Sequence, residues 1–344
     1  MRRLLSVAIV LSLLLARGVA AQDRFPGAQW DRVASAESGW SQALLADVQA
    51  RSKALDLTAV IVVQHGAMIA EWGDTTKRTE LASVRKSLLS ALIGIAVAER
   101  KISLDSTLAQ LAIDDTAPAL TDVEKKATVR MLLEARSGIY HPALYETPAM
   151  AKRRPLRGSH EPGTFWYYNN WDFNALGTIY ERATGTGIYD ALDRQIAKPI
   201  GMQDYRPSDG TYFTGPDSIH RAYPIRMSAR DLARFCLLYL HNGAWGGKQI
   251  VPAAWVAEST RPYSDAGRDR GYGYLWWTAS PRPHPGLFGE GWFTALGAGG
   301  QYGFVKPALD LVVVLRVDRD QRLPEPSFTQ FAEFVQLVAK AGGL

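Results

Sequence analysis

Strand-forming segments stand at both ends of this 344-residue chain, and helix-forming segments fill its middle. Near the start, Thr58–Val63 is rich in β-branched residues, His65-Gly66 predicts a turn, and Met68–Trp72 is a second apolar run, so together they predict a β-hairpin. Near the end, strand character returns in Gly273–Thr278, Gln301–Val305 and Leu311–Val317. This order predicts that both chain ends share one sheet and that the middle is inserted into it.

The predicted fold class is α/β in the broad sense (α+β): an antiparallel sheet flanked by helices, built from both chain ends, with an inserted, mostly helical subdomain. We assign residues 22–344 to one domain, with the sheet in residues 22–100 and 243–344 and the helical subdomain in residues 101–242. The predicted helices beyond the hairpin are Ser83–Arg100, Thr128–Glu134, Trp171–Thr184, Ser228–Leu240 and Ser327–Ala341. A binding site is expected between the two parts.

Residues 1–21 have the three parts of a secretory signal peptide. Met1-Arg2-Arg3 supplies the positive start, Leu4–Ala16 the apolar run, and Gly18–Ala21 the cleavage region, so we expect cleavage after Ala21. The apolar run is shorter than the roughly 20 residues that span a bilayer. We therefore expect an exported protein, periplasmic or secreted, that does not insert into a membrane after cleavage.

Charge and composition limit the kinds of molecule that this protein is expected to bind. The formal charge is +5, and the three positive charges of Arg2, Arg3 and Arg17 leave with the signal peptide, so +2 remains on the mature chain. Acidic residues are interspersed with the basic ones, which argues against a nucleic-acid partner.

The single cysteine, Cys236, lies in an apolar helical stretch and is expected to be a buried thiol. The six histidines are scattered, so we predict no metal and no other cofactor; the oligomeric state stays open.

Ser83-Val84-Arg85-Lys86 stands where a helical pattern begins. A spacing of three places the Ser83 hydroxyl and the Lys86 amine on one helix face, about a turn apart, which suits proton transfer between them. A helix N-terminus also carries a partial positive charge, which stabilises a developing alkoxide and lowers the pKa of a nearby ammonium. The alternative is that Ser83 only caps the helix.

Two further segments are candidates. The stretch from Pro162 to Asn170 contains two overlapping Y-x-N pairs, Tyr167 with Asn169 and Tyr168 with Asn170, and alternation of side chains should point the pairs in opposite directions. Its aromatic residues would also suit a core. Ala295–Tyr302 is a glycine-dense entry into a strand, which either exposes backbone N–H groups to a ligand or forms a tight turn.

The order of these three motifs resembles the serine β-lactamase and penicillin-binding-protein-like superfamily. The resemblance is strongest to the branch with class C β-lactamases, D-alanyl-D-alanine carboxypeptidases, family VIII esterases and 6-aminohexanoate-dimer hydrolases, and it covers about residues 40–344. Ser83–Ser87 is similar to the S-x-x-K-S motif, and Ser137-Gly138-Ile139 to the segment before the second motif. In the family's P-G-x-x-F-x-Y-S-N the tyrosine stands six residues after the proline, which selects Tyr168 and Asn170.

The resemblance implies a serine hydrolase that works through an acyl-enzyme on Ser83, with Lys86 and Tyr168 as general base and acid. It also implies an oxyanion hole made by the backbone N–H of Ser83 and one N–H of the third motif. The sequence does not say which N–H that is. The candidate substrate-binding and oxyanion residues are therefore Asn170, Gly297, Gly299, Gly300 and Gln301.

The third motif departs from the family pattern in a way that bears on the substrate. The family often has Lys-Thr-Gly or His-Thr-Gly, whose cation holds a substrate carboxylate, whereas Ala295-Leu296-Gly297 has no cation. We therefore expect a small uncharged ester or amide. The alternatives are a β-lactamase or D-alanyl-D-alanine carboxypeptidase that uses another cation, such as Arg136, since Arg85 should face away, and a non-enzymatic sensor on the same fold. Some of six aromatic residues should line the cleft: Phe165, Trp166, Trp276, Trp277, Trp292 and Tyr302.

Overall fold

A computed structural model describes residues 24–33, 35–267, 269–282 and 288–344. The predicted signal peptide lies outside these ranges. Within them, no helix has both the length and the apolar character that crossing a membrane would require.

The helices of the described ranges are α1 (Ser35–Ser38), α2 (Gln42–Ala54), α3 (Val84–Ala98), α4 (Val129–Leu133), α5 (Pro148–Arg153), α6 (Asn170–Thr184), α7 (Ile188–Leu192), α8 (Ala229–Leu240), α9 (Ala253–Ser259) and α10 (Phe328–Ala341). The strands are β1 (Ala59–Gln64), β2 (Ala67–Gly73), β3 (Thr79–Glu80), β4 (Phe213–Gly215), β5 (Ser218–Ala222), β6 (Arg226–Met227), β7 (Ala244–Trp245), β8 (Lys248–Gln249), β9 (Ser264–Gly267), β10 (Arg270–Tyr272), β11 (Trp277–Ala279), β12 (Phe293–Gly297), β13 (Gln301–Lys306) and β14 (Leu311–Arg316). The predicted N-terminal hairpin is β1–β2, and the predicted helices are α3, α4, α6, α8 and α10.

The main sheet has eight strands in the order β2-β1-β14-β13-β12-β11-β10-β9. All neighbours are antiparallel. β1 pairs with β14, so that Val60 lies opposite Leu315 and Val62 opposite Val313. The two ends of the chain thus share one sheet, and the predicted fold class is confirmed.

Helices cover both faces of this sheet, which explains why β1 and β14 are buried at every position. Alternate residues of a strand point to opposite faces. Val60 and Val62 pack with α2 and α10 in one apolar cluster, whereas Ile61 and Val63 belong to the larger core on the other face. A β-branched run that is apolar at every position is typical of a strand buried on both faces.

Helix α8 lies on the sheet, in contact with β1, β13 and β14. The predicted boundaries group this segment with the helical subdomain, whereas the buried residues of the helix share one core with Ile61 and Val63 of β1. Gly303 of β13 permits the close approach, because a Cβ there would stand 2.6 Å from the sulfur of Cys236. Cys236 is fully buried, as its apolar surroundings predicted.

The strand predicted over Gly273–Thr278 is wrong for most of its length. β10 ends at Tyr272 and β11 begins at Trp277, and the residues between them form a turn in which Gly273 N–H bonds to the Trp276 carbonyl at 2.9 Å. Leu275 has a φ of 64°, which no strand residue adopts. The apolar character of this stretch reflects the packing of Trp276, which is fully buried.

Helix α3 stands between the two parts of the molecule. It contacts α6 and α7 of the helical part on one side and β12 and β13 of the sheet on the other. Its N-terminus therefore lies where the start of α6 and the end of β12 come together, which places the three sequence motifs at one point of the fold.

Candidate active site

The Ser83 hydroxyl is not used as a helix cap. Ser83 occupies the N-cap position of α3 but has a helical backbone, and its side chain makes no capping hydrogen bond. Ser228 and Ser327, by contrast, have extended backbones and accept hydrogen bonds from their helices. The Ser83 hydroxyl oxygen instead lies 2.9 Å from the Lys86 amine.

The Lys86 amine is the centre of the site. Its Nζ lies 2.9 Å from Ser83 Oγ, 2.6 Å from Tyr168 OH and 2.8 Å from Asn170 Oδ1. The rings of Tyr168 and Phe173 approach Nζ with centroids at 4.3 and 4.5 Å. A neutral amine has two N–H donors and one lone pair, so it can bond Asn170 and one hydroxyl while accepting a proton from the other.

Burial determines the protonation of this lysine. Lys86 is 2% exposed, and no carboxylate pairs with it within the described ranges. Burial, together with the positive charge of the adjacent Arg85, lowers the pKa of Lys86 well below its usual value. The lowered pKa favours the neutral amine, which is the form that can take a proton from Ser83.

The Tyr168 hydroxyl is the second proton-carrying group beside Lys86. Burial raises its pKa to about 12, although its hydrogen bond with Ser83 and the charge of Arg85 act in the opposite direction. The phenol therefore keeps its proton near neutral pH. Its position within hydrogen-bond distance of Lys86 lets the two groups exchange that proton.

The two Y-x-N pairs point in different directions. Tyr167 OH donates to the carbonyl of Met150 at 3.2 Å, away from Lys86. Asn169 caps α6 by accepting from Trp171 N–H at 3.2 Å. The structure thus brings Tyr168 and Asn170, and not the other pair, to the lysine.

Asn170 supports Lys86 from the far side. Its carbonyl oxygen accepts from Lys86 Nζ, and its amide nitrogen donates to the carbonyl of Tyr145 at 2.9 Å. The side chain is buried and both ends of the amide are engaged. This geometry holds the lysine in place.

The backbone of the β12–β13 hairpin comes close to the backbone of the turn that carries Ser83. A Cβ on Gly297 would collide with the Leu81 carbonyl oxygen and stand 3.0 Å from the nitrogen of Ser83. Only glycine fits at this point. The next residue, Ala298, is exposed and follows the last ladder pair of the hairpin, which joins Gly297 to Gln301.

The remaining residues of the third motif shape the hairpin itself. Gly299 and Gly300 have φ values of 76° and 74°, which favour glycine. Gln301 is fully buried, and its amide donates to the Gly299 carbonyl at 2.5 Å and to the Val317 carbonyl at 2.6 Å. Its carbonyl oxygen accepts from the guanidinium of Arg316. The Gln301 side chain is thus fully engaged inside the protein.

Two of the six predicted aromatic residues lie beside the catalytic candidates. Trp277 stacks on Tyr168 with ring centroids 5.4 Å apart, and Trp166 meets Trp277 edge to face at 6.1 Å. Both are half-buried. Phe165 stacks on His160 instead, and the other three, Trp276, Trp292 and Tyr302, are buried in the core.

Neither arginine considered as a substitute carboxylate-binding cation points to that role. Arg136 donates to the Gly163 carbonyl at 3.0 Å and to Ser264 Oγ at 3.2 Å, so it fastens the loop before the second motif. Arg85 is 1% exposed. Within the described ranges, no group of three or more His, Cys, Asp or Glu side chains could hold a metal ion.

Sequence reasoning missed two residues of this region. Ala298 carries no signal in its side chain, because only its backbone N–H would matter. Arg316, whose guanidinium donates to Gln301, is the last residue of the apolar strand β14, and a basic residue in that position ordinarily indicates the exposed end of a strand.

Known proteins share sequence similarity with most of this chain. The family model described as Beta-lactamase matches residues 48–334. Esterase EstB of Burkholderia gladioli is 26% identical over 171 residues, 43% of this chain and 43% of the esterase. The D-aminopeptidase of Brucella anthropi is 28% identical over 166 residues, 42% of this chain and 31% of that enzyme, so the chain matches less than half of either protein.

Solved structures show the same fold. A Bacillus anthracis protein named as a 6-aminohexanoate-dimer hydrolase has a TM-score of 0.67 at 20% identity, over 93% of this chain and 89% of that one. An octameric penicillin-binding protein homologue from Pyrococcus abyssi has a TM-score of 0.63 at 18% identity, over 86% of this chain and 77% of that one. Since the family model extends over most of the sequence, the chain belongs to the Beta-lactamase family and is a serine hydrolase.

Proposed function

We propose that this protein cleaves a small, uncharged ester or amide through an acyl-enzyme on Ser83. One observation carries the proposal: a single buried amine, Lys86 Nζ, contacts the Ser83 hydroxyl, the Tyr168 hydroxyl and the Asn170 amide at once. A nucleophile within hydrogen-bond reach of a base, with the base oriented by a third group, is the arrangement that activates serine for acyl transfer.

In the acylation step, Ser83 Oγ attacks the substrate carbonyl carbon while its proton passes to the neutral Lys86 amine. The new C–O bond leaves a negative charge on the carbonyl oxygen. Tyr168 then gives its proton to the leaving alkoxide or amine as the bond to carbon breaks, and the Lys86 ammonium, 2.6 Å away, returns a proton to Tyr168. In deacylation, water attacks the carbonyl carbon of the acyl-enzyme while its proton passes to the neutral Lys86 amine. The bond between that carbon and Ser83 Oγ then breaks, the acid leaves, and the Lys86 ammonium returns the proton to Ser83 Oγ, 2.9 Å away.

The oxyanion is stabilised by two backbone N–H groups in our proposal, those of Ser83 and Ala298. The support is the close contact between Gly297 and the Ser83 nitrogen, which brings the residue after Gly297 to the mouth of the site. Gly299, Gly300 and Gln301 serve by shaping the hairpin. Asn170 serves by holding Lys86.

The substrate class follows from charge and apolar surface. No cation stands in Ala295–Gly297, and Arg136 is committed to its own loop. A substrate carboxylate would then lack charge-assisted hydrogen bonds, which are worth about 1.5–3 kcal/mol each, or about ten- to a hundredfold in kcat/KM. Trp277 and Trp166 offer an apolar wall beside Tyr168. The relatedness to an esterase supports the same preference.

A hydrolysis panel tests this proposal. We expect kcat/KM for p-nitrophenyl butyrate to exceed the values for nitrocefin and for a peptide ending in D-alanyl-D-alanine, with a linear amide dimer as the fourth substrate. Ser83→Ala serves as the control for background hydrolysis. If nitrocefin were turned over faster than the butyrate ester, the ester preference would be refuted and a β-lactamase that uses another cation would take its place.

A further inference from the structure

Arg85 is a buried guanidinium that adjoins the proposed general base. It is 1% exposed, and within the described ranges no carboxylate pairs with it. Its Nη1 donates to the carbonyl of Ala82 at 2.9 Å, whereas Nε and Nη2 have no acceptor among the described residues. A buried cation without an anion is costly, so a residue of this kind is a candidate for a role in the reaction.

Two tyrosine rings surround the guanidinium. Its central carbon lies 5.1 Å from the ring centroid of Tyr145 and 5.1 Å from that of Tyr223. These positions let the π faces of the rings offset part of the cost of burying the charge.

The residues beside Arg85 are bonded to the residues beside Lys86. The Tyr145 carbonyl accepts from Asn170, which also holds Lys86. Tyr223 OH donates to the carbonyl of Phe173, whose ring lies against Lys86 Nζ. Arg85 and Lys86, adjacent in α3 and both almost fully buried, therefore lie in one water-poor environment, where the charge of Arg85 would oppose protonation of the amine with little screening.

The hydrogen bond to Ala82 adds a second link to the site. Ala82 has a φ of 47°, an uncommon backbone conformation for a residue with a Cβ, and it directly precedes Ser83. Arg85 Nη1 holds the carbonyl of this residue. Arg85 thus both holds the turn that carries Ser83 and places a charge near Lys86.

We propose that Arg85 is a positioning residue for the reaction of Ser83: its buried charge keeps Lys86 in the unprotonated form that accepts the serine proton, and its hydrogen bond to Ala82 holds the turn that carries Ser83. This inference rests on the function proposed above. It assigns to Arg85 no contact with the substrate.

The other ionisable groups around Arg85 and Lys86 are mostly tyrosines. Tyr168 faces Lys86 from the loop before α6, and burial raises the pKa of Tyr168 to about 12. Burial also raises the pKa of the groups that interact with Arg85 or Tyr168 from the neighbouring elements, namely Tyr189, Tyr223, Tyr272 and, next to Tyr272, Asp172. The tyrosines among these groups are neutral near pH 7.

Glu80 is the carboxylate on the outer side of Tyr145. It accepts a hydrogen bond from the Tyr145 hydroxyl and is paired with Arg319 at 2.9 Å. Its charge is therefore already offset by another guanidinium. The charge of Arg85 acts in the same direction as burial on Lys86 and lowers the pKa of the amine.

The test is the pH dependence of kcat/KM for p-nitrophenyl butyrate in Arg85→Met and Arg85→Lys, with butyrate quantified by chromatography so that product detection does not change with pH. Activity rises with pH as free Lys86 loses its proton, and removing the neighbouring charge makes Lys86 more basic. We expect the acidic limb of Arg85→Met to move up by about one pH unit, so that kcat/KM at pH values below the wild-type midpoint falls about tenfold and recovers at higher pH.

Arg85→Lys keeps the charge and should return the limb to its wild-type position, although its plateau falls because the hydrogen bond to Ala82 changes. Arg136→Met is the matched control, since it removes a cation that contacts Gly163 and Ser264 instead. Its limb should stay in place. A loss of activity in Arg85→Met that is equal at every pH would show a merely structural role and overturn the inference.

Two further outcomes of this experiment distinguish the role of Arg85 from the proposed function. If Arg85→Met does not fold, as judged by its thermal transition, the limb of Arg85→Lys is decisive, and a limb displaced from that of the wild type overturns the inference. Ser83→Ala separates the two proposals. Hydrolysis that survives in Ser83→Ala would refute the proposed function itself, whereas an inactive Ser83→Ala combined with an unmoved limb in Arg85→Met would refute only the role of Arg85.

Discussion

Replacing Tyr168 with phenylalanine removes one oxygen atom and tests the proton relay. The hydroxyl stands 2.6 Å from Lys86 Nζ, the shortest of the three contacts of that amine, and the Tyr168 ring would keep its stacking on Trp277. General acid–base help is typically worth about 10²–10⁴-fold in rate, or about 2.7–5.5 kcal/mol of activation free energy. We expect Tyr168→Phe to lose kcat within this range.

The size of the loss should depend on the leaving group. p-Nitrophenolate departs readily as an anion, whereas an alkoxide or an amine needs the proton that Tyr168 supplies. Kinetics with p-nitrophenyl butyrate and ethyl butyrate should therefore place Tyr168→Phe near the lower end of the range for the first ester and near the upper end for the second. Equal losses for the two esters would mean that Tyr168 does not protonate the leaving group.

Tyr167→Phe is the matched control in the neighbouring position. Tyr167 OH donates to the carbonyl of Met150 at 3.2 Å, so its removal costs one hydrogen bond, about 1 kcal/mol of unfolding free energy, and should leave kcat nearly unchanged. Thermal unfolding of both variants shows whether folding is affected. If Tyr167→Phe lost activity and Tyr168→Phe did not, the assignment of the pair Tyr168 and Asn170 would be refuted.

Three further outcomes follow from the same structure. Gly297→Ala should lose about 10²-fold or more in kcat/KM, because its Cβ would collide with the Leu81 carbonyl and displace the proposed oxyanion donors; wild-type kinetics in this variant would contradict the assignment. Trp277→Ala should lower kcat/KM for p-nitrophenyl butyrate and hexanoate more than for the acetate, because it removes apolar surface beside Tyr168. An equal fall in kcat/KM for all three esters would argue against an apolar wall at this position. The exported protein should begin at Gln22 by N-terminal sequencing; retention of Met1 in the exported fraction would disprove signal cleavage.

The features that the sequence predicted well are those with local or periodic causes. The apolar runs of β1 and β14 predicted a sheet shared by both chain ends, because strands buried on both faces need apolar residues at every position. The spacing of Ser83 and Lys86 predicted their contact, because residues three apart in a helix are neighbours. Alternation predicted that Tyr167 and Tyr168 would diverge, and the family pattern chose between them.

The features that the sequence did not predict depend on distant partners. Arg85 was expected to face away from the cleft, but nothing in its neighbours showed that Tyr145 and Tyr223 would enclose it. Gln301 resembled a ligand-binding residue in a glycine-rich loop, yet Arg316 from the next strand and the Val317 carbonyl engage its amide. Such contacts arise between strands and loops far apart in the chain, where sequence spacing carries no information.

Covalent labelling with a fluorophosphonate tests the central claim most directly, because the reagent reacts with an activated serine whatever the natural substrate is. Mass spectrometry of the labelled, digested protein should find one adduct, on Ser83 and not on the buried Ser87 or Ser90 of the same helix. Lys86→Met should fold and label at least about 10²-fold more slowly. Ser83→Ala should not label at all. A stoichiometric adduct on any other residue, or full labelling of the Ser83→Ala variant, would contradict the account.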